Sequence, residues 1–209
     1  MSAASRAPQR SNRVLRVRRR ATLAAGTAAV ALLVSACGSG GTSGGGGNTN
    51  FVTGTDGIST VPEGKRVAAP ELSGKTLEGE QLDVADHKGK VVVLNVWGSW
   101  CNPCRAEAKY FAKVSKDYAG RDVEFVGINT RDGSTTAALA FEKDFGIPYP
   151  SLYDPTGKLM LRFEKGTLNP QAVPSTLVLD RDGRIAARSL TALDEERLLK
   201  MLEPVVAEK

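Results

Sequence analysis

The sequence predicts an α/β domain built on a central mixed β-sheet flanked by helices. Three observations carry that expectation. Two continuous apolar, β-prone runs, residues 91–97 and 123–129, are each followed by a segment with helical character. Two later β-prone runs are separated by the turn Asp180-Arg181-Asp182-Gly183, which marks an antiparallel hairpin. An amphipathic helix closes the chain. Strand–helix units give parallel pairs and hairpins give antiparallel ones, so this order implies a mixed sheet with helices on both sides.

Taken in order, residues 68–83 read as a hairpin-like entry, with turn residues at Ser73-Gly74 and Glu78-Gly79. Residues 91–97 have no polar alternation, as in a strand covered on both faces. Residues 103–119 are helical, with Ala106, Tyr110, Val114 and Tyr118 recurring four apart. A second buried strand spans 123–129, and a helix over 135–145 stops near Gly146 and Pro148. Residues 153–157 read as a turn and 158–163 as a short helix. The hairpin pairs 175–179 with 184–190. The last helix starts at Asp194 and is amphipathic, carrying Leu198, Leu199, Met201 and Leu202.

The 209 residues carry a net charge of +5, which alone would suggest an anionic partner such as nucleic acid. The excess is local. Residues 1–36 hold seven Arg and no acidic residue; without them 21 basic residues face 23 acidic ones, a net −2. Nucleic-acid binding is therefore not expected. The basic stretch runs into the charge-free, Ala-rich segment 21–36, the plan of a secretory signal peptide. At 16 residues it is short for a spanning helix, although a retained signal anchor has the same pattern. Arg18-Arg19-Arg20 leaves a twin-arginine export route open. The segment ends Leu33-Val34-Ser35-Ala36-Cys37, which resembles the bacterial lipobox, so Cys37 is expected to be acylated. Seven Gly between residues 38 and 50 then supply a flexible tether. The expected organisation is a signal peptide over 1–36, a lipidated Cys37 with tether over 37–60, and one folded domain over 61–209.

Trp100-Cys101-Asn102-Pro103-Cys104 falls where the first strand gives way to a helix. A Cys at a helix N-terminus faces unpaired N–H groups and the positive end of the dipole, which favour the thiolate by about 0.3–1 kcal/mol and up to ~2 kcal/mol when partly buried. The thiolate is the attacking species in disulfide exchange. Pro103 suits the first turn, where its missing N–H costs nothing. A zinc site would need two further ligands, and only Cys37 and His87 remain. A purely structural disulfide closing so small a loop would remove only about 2 kcal/mol of chain entropy. Neither a metal nor any cofactor beyond the dithiol is expected.

The run Asn95-Val96-Trp97-Gly98-Ser99-Trp100-Cys101-Asn102-Pro103-Cys104-Arg105-Ala106-Glu107, with Val173-Pro174-Ser175-Thr176 downstream, resembles the thioredoxin superfamily, and more closely its membrane-tethered TlpA/ResA-like thiol-disulfide oxidoreductases. The resemblance covers about residues 62–206. It implies a thioredoxin fold with an N-terminal β-hairpin, here 68–83, and an inserted strand–helix segment, here roughly 135–153. It further implies Cys101 as the more exposed nucleophile and Cys104 as the resolving thiol. Pro174 stands in the place of the cis-proline beside the dithiol. Glu107 matches a carboxylate of the ResA-like group that could exchange protons with Cys104; an ordinary acidic residue of a helix's first turns would look the same. Where thioredoxin has a buried Asp six residues before its first Cys, this chain has Asn95, which makes Glu107 the better proton acceptor. Trp97 and Trp100 flank the motif as packing or as substrate surface, and His87 is expected in an exposed loop.

The function implied is a monomeric, lipid-anchored disulfide reductase on the extracytoplasmic face of the cell membrane. Its partners would be protein dithiols, such as the haem-attachment Cys pair of apocytochrome c, and a membrane thiol carrier supplying electrons. An oxidant that forms disulfides in exported proteins would share the motif. Peroxide reduction is disfavoured, because Leu94 and Gly98 stand where a P-x-x-x-[TS]-x-x-C pattern needs Pro and Thr/Ser. A lipoprotein that only binds would have little use for two intact cysteines.

Overall fold

The computed structural model describes residues 49–208. The expected signal peptide, Cys37 and residues 38–48 of the tether lie outside the described residues. Among the described residues nine strands are formed: β1 (Val52–Thr53), β2 (Ile58–Thr60), β3 (Ser73–Lys75), β4 (Gln81–Asp83), β5 (Val91–Trp97), β6 (Val123–Thr130), β7 (Ser151–Asp154), β8 (Ser175–Leu179) and β9 (Ile185–Ser189). Seven make one sheet in the order β1-β2-β9-β8-β5-β6-β7, while β3 and β4 pair as a separate hairpin. The β5–β6 and β6–β7 pairs are parallel and the others antiparallel. The same residues form three α-helices, α1 (Asn102–Asp117), α2 (Thr135–Phe145) and α3 (Glu195–Val206).

Every residue of β5 is buried, and its side chains alternate between two cores. Val91 and Val93 pack with Phe111 and Val114 of α1 and Leu198, Met201 and Leu202 of α3. Val92, Leu94 and Val96 pack on the other face with Leu72, Val84, Met160 and Phe163. Helix α2 lies on the α1 side, where Phe141 stacks on Trp97 at 4.5 Å. All three α-helices therefore share one face. The expectation of helices on both sides holds only through 3-10 turns, Val84–His87 and Met160–Arg162, on the other. The 158–163 segment stays that short because Gly157 and Gly166, both at positive φ, bracket it.

Four local expectations are corrected. Residues 52–60 are not tether: β2 pairs with β9, and Phe51, Ile58 and Val61 are buried. Gly54 and Gly57 shape the turn between β1 and β2, with Gly54 N–H donating to Ile58 O and Gly57 at φ 79°. Of the two turn signals only Glu78-Gly79 marks the hairpin turn, which spans Leu77–Gly79; Ser73-Gly74 belongs to strand β3. The buried face of α1 is Cys104, Glu107, Ala108, Phe111, Ala112, Val114 and Ser115, so Ala106 is exposed and Tyr110 only half-buried. His87 is half-buried at the end of a 3-10 turn rather than in an exposed loop. Among the described residues no helix is long and apolar enough to cross a membrane.

Candidate active site around the dithiol

Three chain segments meet where β5 and β6 end. The first is the turn from β5 into α1. Cys101 is the N-cap of α1, in extended conformation, and its Sγ accepts a hydrogen bond from Cys104 N–H at 3.2 Å. Pro103 occupies the first turn, as expected. Cys101 and Cys104 are joined as a disulfide, with Cα atoms 5.3 Å apart. In this oxidised form the contrast in exposure is slight, 3% for Cys101 and 1% for Cys104. When Cys101 is released as a thiolate, the Cys104 amide and the helix N-terminus face its charge.

The second segment precedes β8. The Val173–Pro174 peptide bond is cis, and the Val173 carbonyl oxygen lies 3.6 Å from Cys101 Sγ. Pro174 is thus beside the dithiol, where the resemblance puts it. The third segment leaves the end of β6. Asp132, 5% exposed, accepts hydrogen bonds from Ser99 N–H (2.9 Å), Ser99 Oγ–H (2.5 Å) and Asn129 Nδ2 (2.6 Å). Trp100 Nε1 donates to Thr130 O at 3.2 Å, and the Arg131 guanidinium lies 4.8 Å from the Trp100 ring centre. These contacts fix the loop that delivers Cys101. Trp100 is 48% exposed, so it forms part of the outer surface, whereas Trp97 is a core residue.

Beneath the disulfide, one helical turn beyond Cys104, Glu107 is 2% exposed. It accepts from Asn95 Nδ2 and from Leu193 N–H, both at 2.9 Å. Burial pushes its pKa up to about 7, against the opposing effect of those two hydrogen bonds. Asn95 therefore supports Glu107 directly. Asn95, Trp97, Cys104, Phe141 and Tyr149 also line a cavity of about 10 Å³, room for about one water molecule.

A second buried carboxyl adjoins the site. Glu142 on α2 accepts from Ser151 Oγ–H at 2.7 Å, and Ser151 Oγ accepts from Trp97 Nε1 at 3.1 Å. Burial first, then the charge of Glu78, raise its pKa to about 7 despite the Ser151 hydrogen bond. Sequence reasoning passed over Arg131, Asp132, Glu142 and Ser151. A usable signal existed for two of them: residues following adjacent parallel strands converge at the strands' carboxyl ends, and Arg131 and Asp132 follow β6 directly. Among the described residues no group of three or more His, Cys, Asp or Glu is placed to hold a metal ion.

Residues 60–202 match the Redoxin family. The chain belongs to that family. It is 30% identical over 139 residues to the thiol-disulfide oxidoreductase ResA of Bacillus thuringiensis, covering 65% of this chain and 77% of that protein. Among solved structures it resembles a DsbF homologue from Corynebacterium diphtheriae, with 38% identity, a TM-score of 0.66, and 72% of this chain and 94% of that one covered. It also resembles a secreted thiol-disulfide isomerase from Corynebacterium glutamicum, with 32% identity, a TM-score of 0.68 and coverage of 73% and 93%. This redoxin thus has a thioredoxin-like fold of the ResA-like type, and its enzyme class is thiol-disulfide oxidoreductase.

Proposed function

We propose that this redoxin is an extracytoplasmic disulfide reductase, anchored to the membrane by lipid on Cys37, that reduces protein substrates such as the haem-attachment Cys pair of apocytochrome c. The observation that carries the reading is the Cys101–Cys104 pair at the N-terminus of α1, with the Val173 carbonyl and Pro174 beside it. In the reduced protein the Cys101 thiolate attacks one sulfur of a substrate disulfide. A Cys101–substrate bond forms, the substrate S–S bond breaks, and its electron pair leaves on the second substrate sulfur, which takes up a proton. The Cys104 thiolate then attacks Cys101 Sγ and expels the first substrate sulfur. Two electrons have passed to the substrate, and the dithiol is oxidised until a membrane thiol carrier reduces it. The dithiol is the only redox group the cycle requires.

In this scheme Glu107 accepts the Cys104 proton. A carboxyl with a pKa of about 7 exchanges protons readily near neutral pH, where an ordinary Glu would already be ionised. The backbone beside Pro174 holds the substrate chain in extended form. Location outside the cytoplasm is supported by the basic, then apolar, N-terminal segment and by the secreted relative.

Trapping tests the exchange mechanism. Cys104→Ala in the native host should accumulate a long-lived mixed disulfide through Cys101, and the trapped partner names the substrate; no Cys101-linked partner would end this reading. The reduction potential tests direction. A value near about −270 mV or lower fits a reductase, whereas one near about −120 mV would make the protein an oxidant.

A further inference from the structure

The three segments that converge on the disulfide, residues 98–107, 129–135 and 171–175, contain four charged residues. Both acidic ones are buried: Glu107 is 2% exposed and Asp132 5%. Both basic ones, Arg105 and Arg131, reach solvent. Each touches the Ser99–Trp100 loop immediately before Cys101. Arg105 Nη1 donates to Ser99 O at 3.4 Å and its guanidinium lies over Phe141 and Phe145 at 5.5 and 5.3 Å. Arg131 lies over Trp100, at a backbone φ of 60°, a conformation rare for a side chain of that size. Among the described residues neither guanidinium is in a salt bridge. These three segments thus offer solvent two guanidinium groups and no exposed carboxylate, although the chain beyond residue 36 is near −2.

We propose that Arg105 and Arg131 select substrate proteins carrying an acidic residue beside the reacting cysteine. This deepens the exchange reading above and rests on it. An extended substrate advances about 3.3 Å per residue, so a carboxylate one or two positions from the cysteine attacked by Cys101 comes within reach of a guanidinium. Arg offers a carboxylate two parallel donors, and stacking on aromatic rings holds each guanidinium in place before the substrate arrives. Charges at an exposed rim act chiefly on encounter rate and partner choice, and salt weakens them. A Lys or Arg in the same substrate position is repelled.

The test uses the full chain, reduced beforehand, and three peptides with one internal disulfide that differ only in whether Glu, Gln or Lys flanks the cysteines. Second-order rate constants for peptide reduction are read from Trp fluorescence at low and high salt. An exposed charge pair changes such a rate by about threefold, so the Glu peptide should react about tenfold faster than the Lys peptide at low salt. The ratio should shrink toward one in high salt and in the R105Q/R131Q double variant. Equal rates for the three peptides, or a preference that survives in high salt, would overturn the proposal. A preference surviving in the double variant would do the same. Failure to reduce all three peptides would instead overturn the exchange reading on which it rests.

Discussion

Glu107 shows how one side chain can be legible in type and hidden in environment. Its spacing from Cys104 marks it, but its burial and its bonds to Asn95 and to Leu193, 86 residues away, come from the fold. The same burial hides the inward face of α1, because a stripe of apolar residues misses a carboxyl that faces inward. The two cysteines and Pro174 were legible because their chemistry is local to short motifs. Arg131 and Asp132 could be placed at this end of the sheet by their position after β6, but nothing in their own segment names Ser99 and Trp100 as their partners. The pKa of Glu107 has a consequence for stability. Unfolded, it ionises near 4.5; folded, near 7. Its favourable contribution is complete below pH 4.5 and is lost as pH rises to about 7, a swing of about 3 kcal/mol. Glu142 acts in the same sense, also from 4.5 to about 7. Glu107→Gln should therefore remove about half of the fall in stability between pH 5 and 8, read as denaturation midpoints across that range. An unchanged pH slope would show that Glu107 ionises normally in the folded protein.

Elements with a strong repeating pattern were read within a residue or two: β5, β6, α2, the β8–β9 hairpin and α3 with its Asp194 cap. Short, Gly-rich ones were not. Strand β2 is held by pairing to β9, a partner over a hundred residues on, and β1 joins the sheet only through β2; no local pattern announces that. The helix α2–strand β7 unit matters most to the site, because β7 brings Ser151 to Trp97 and Glu142. Its seat is Gly127 on β6, where an added Cβ would fall within 2.8 Å of Ser151 Cβ and Trp97 Nε1. Gly127→Ala should thus push β7 outward and break the Trp97–Ser151 hydrogen bond. Overpacking of this kind costs about 1–3 kcal/mol. At about 2–4 °C per kcal/mol in a domain this size, thermal unfolding should drop by roughly 3–10 °C, with a change in Trp emission. An unaltered emission spectrum with a normal melting temperature would show that β7 does not depend on this close approach.

At the scale of the described domain, the dithiol and the charge cluster around Arg66 occupy opposite ends of the central strands. Val92 at the start of β5 pairs with Leu179 at the end of β8, so Asp180 lies far from Cys101, which follows the end of β5. There Arg66, 8% exposed, bonds Asp180 at 3.0 Å, Glu208 at 2.6 Å and the Val61 carbonyl at 3.1 Å. One guanidinium thus joins the N-terminal segment, the β8–β9 turn and the residues after α3, partners 114 and 142 positions apart in sequence. Such a junction cannot be read from periodicity, and its cost structure is unlike that of a surface pair. Replacing Arg66 by Leu leaves Asp180, whose side chain is 12% exposed, without its cation. Breaking a buried pair this way costs about 3–5 kcal/mol, because the abandoned charge stays desolvated. Arg66→Lys keeps the charge but loses the fork that reaches Asp180 and Glu208 together, so its loss should be smaller. Thermal unfolding should fall on the order of 10 °C for R66L and clearly less for R66K. Disulfide exchange through Cys101 at 25 °C should persist in both, because the junction is remote from the dithiol. Equal melting temperatures for the two variants would show that the guanidinium packs rather than pairs.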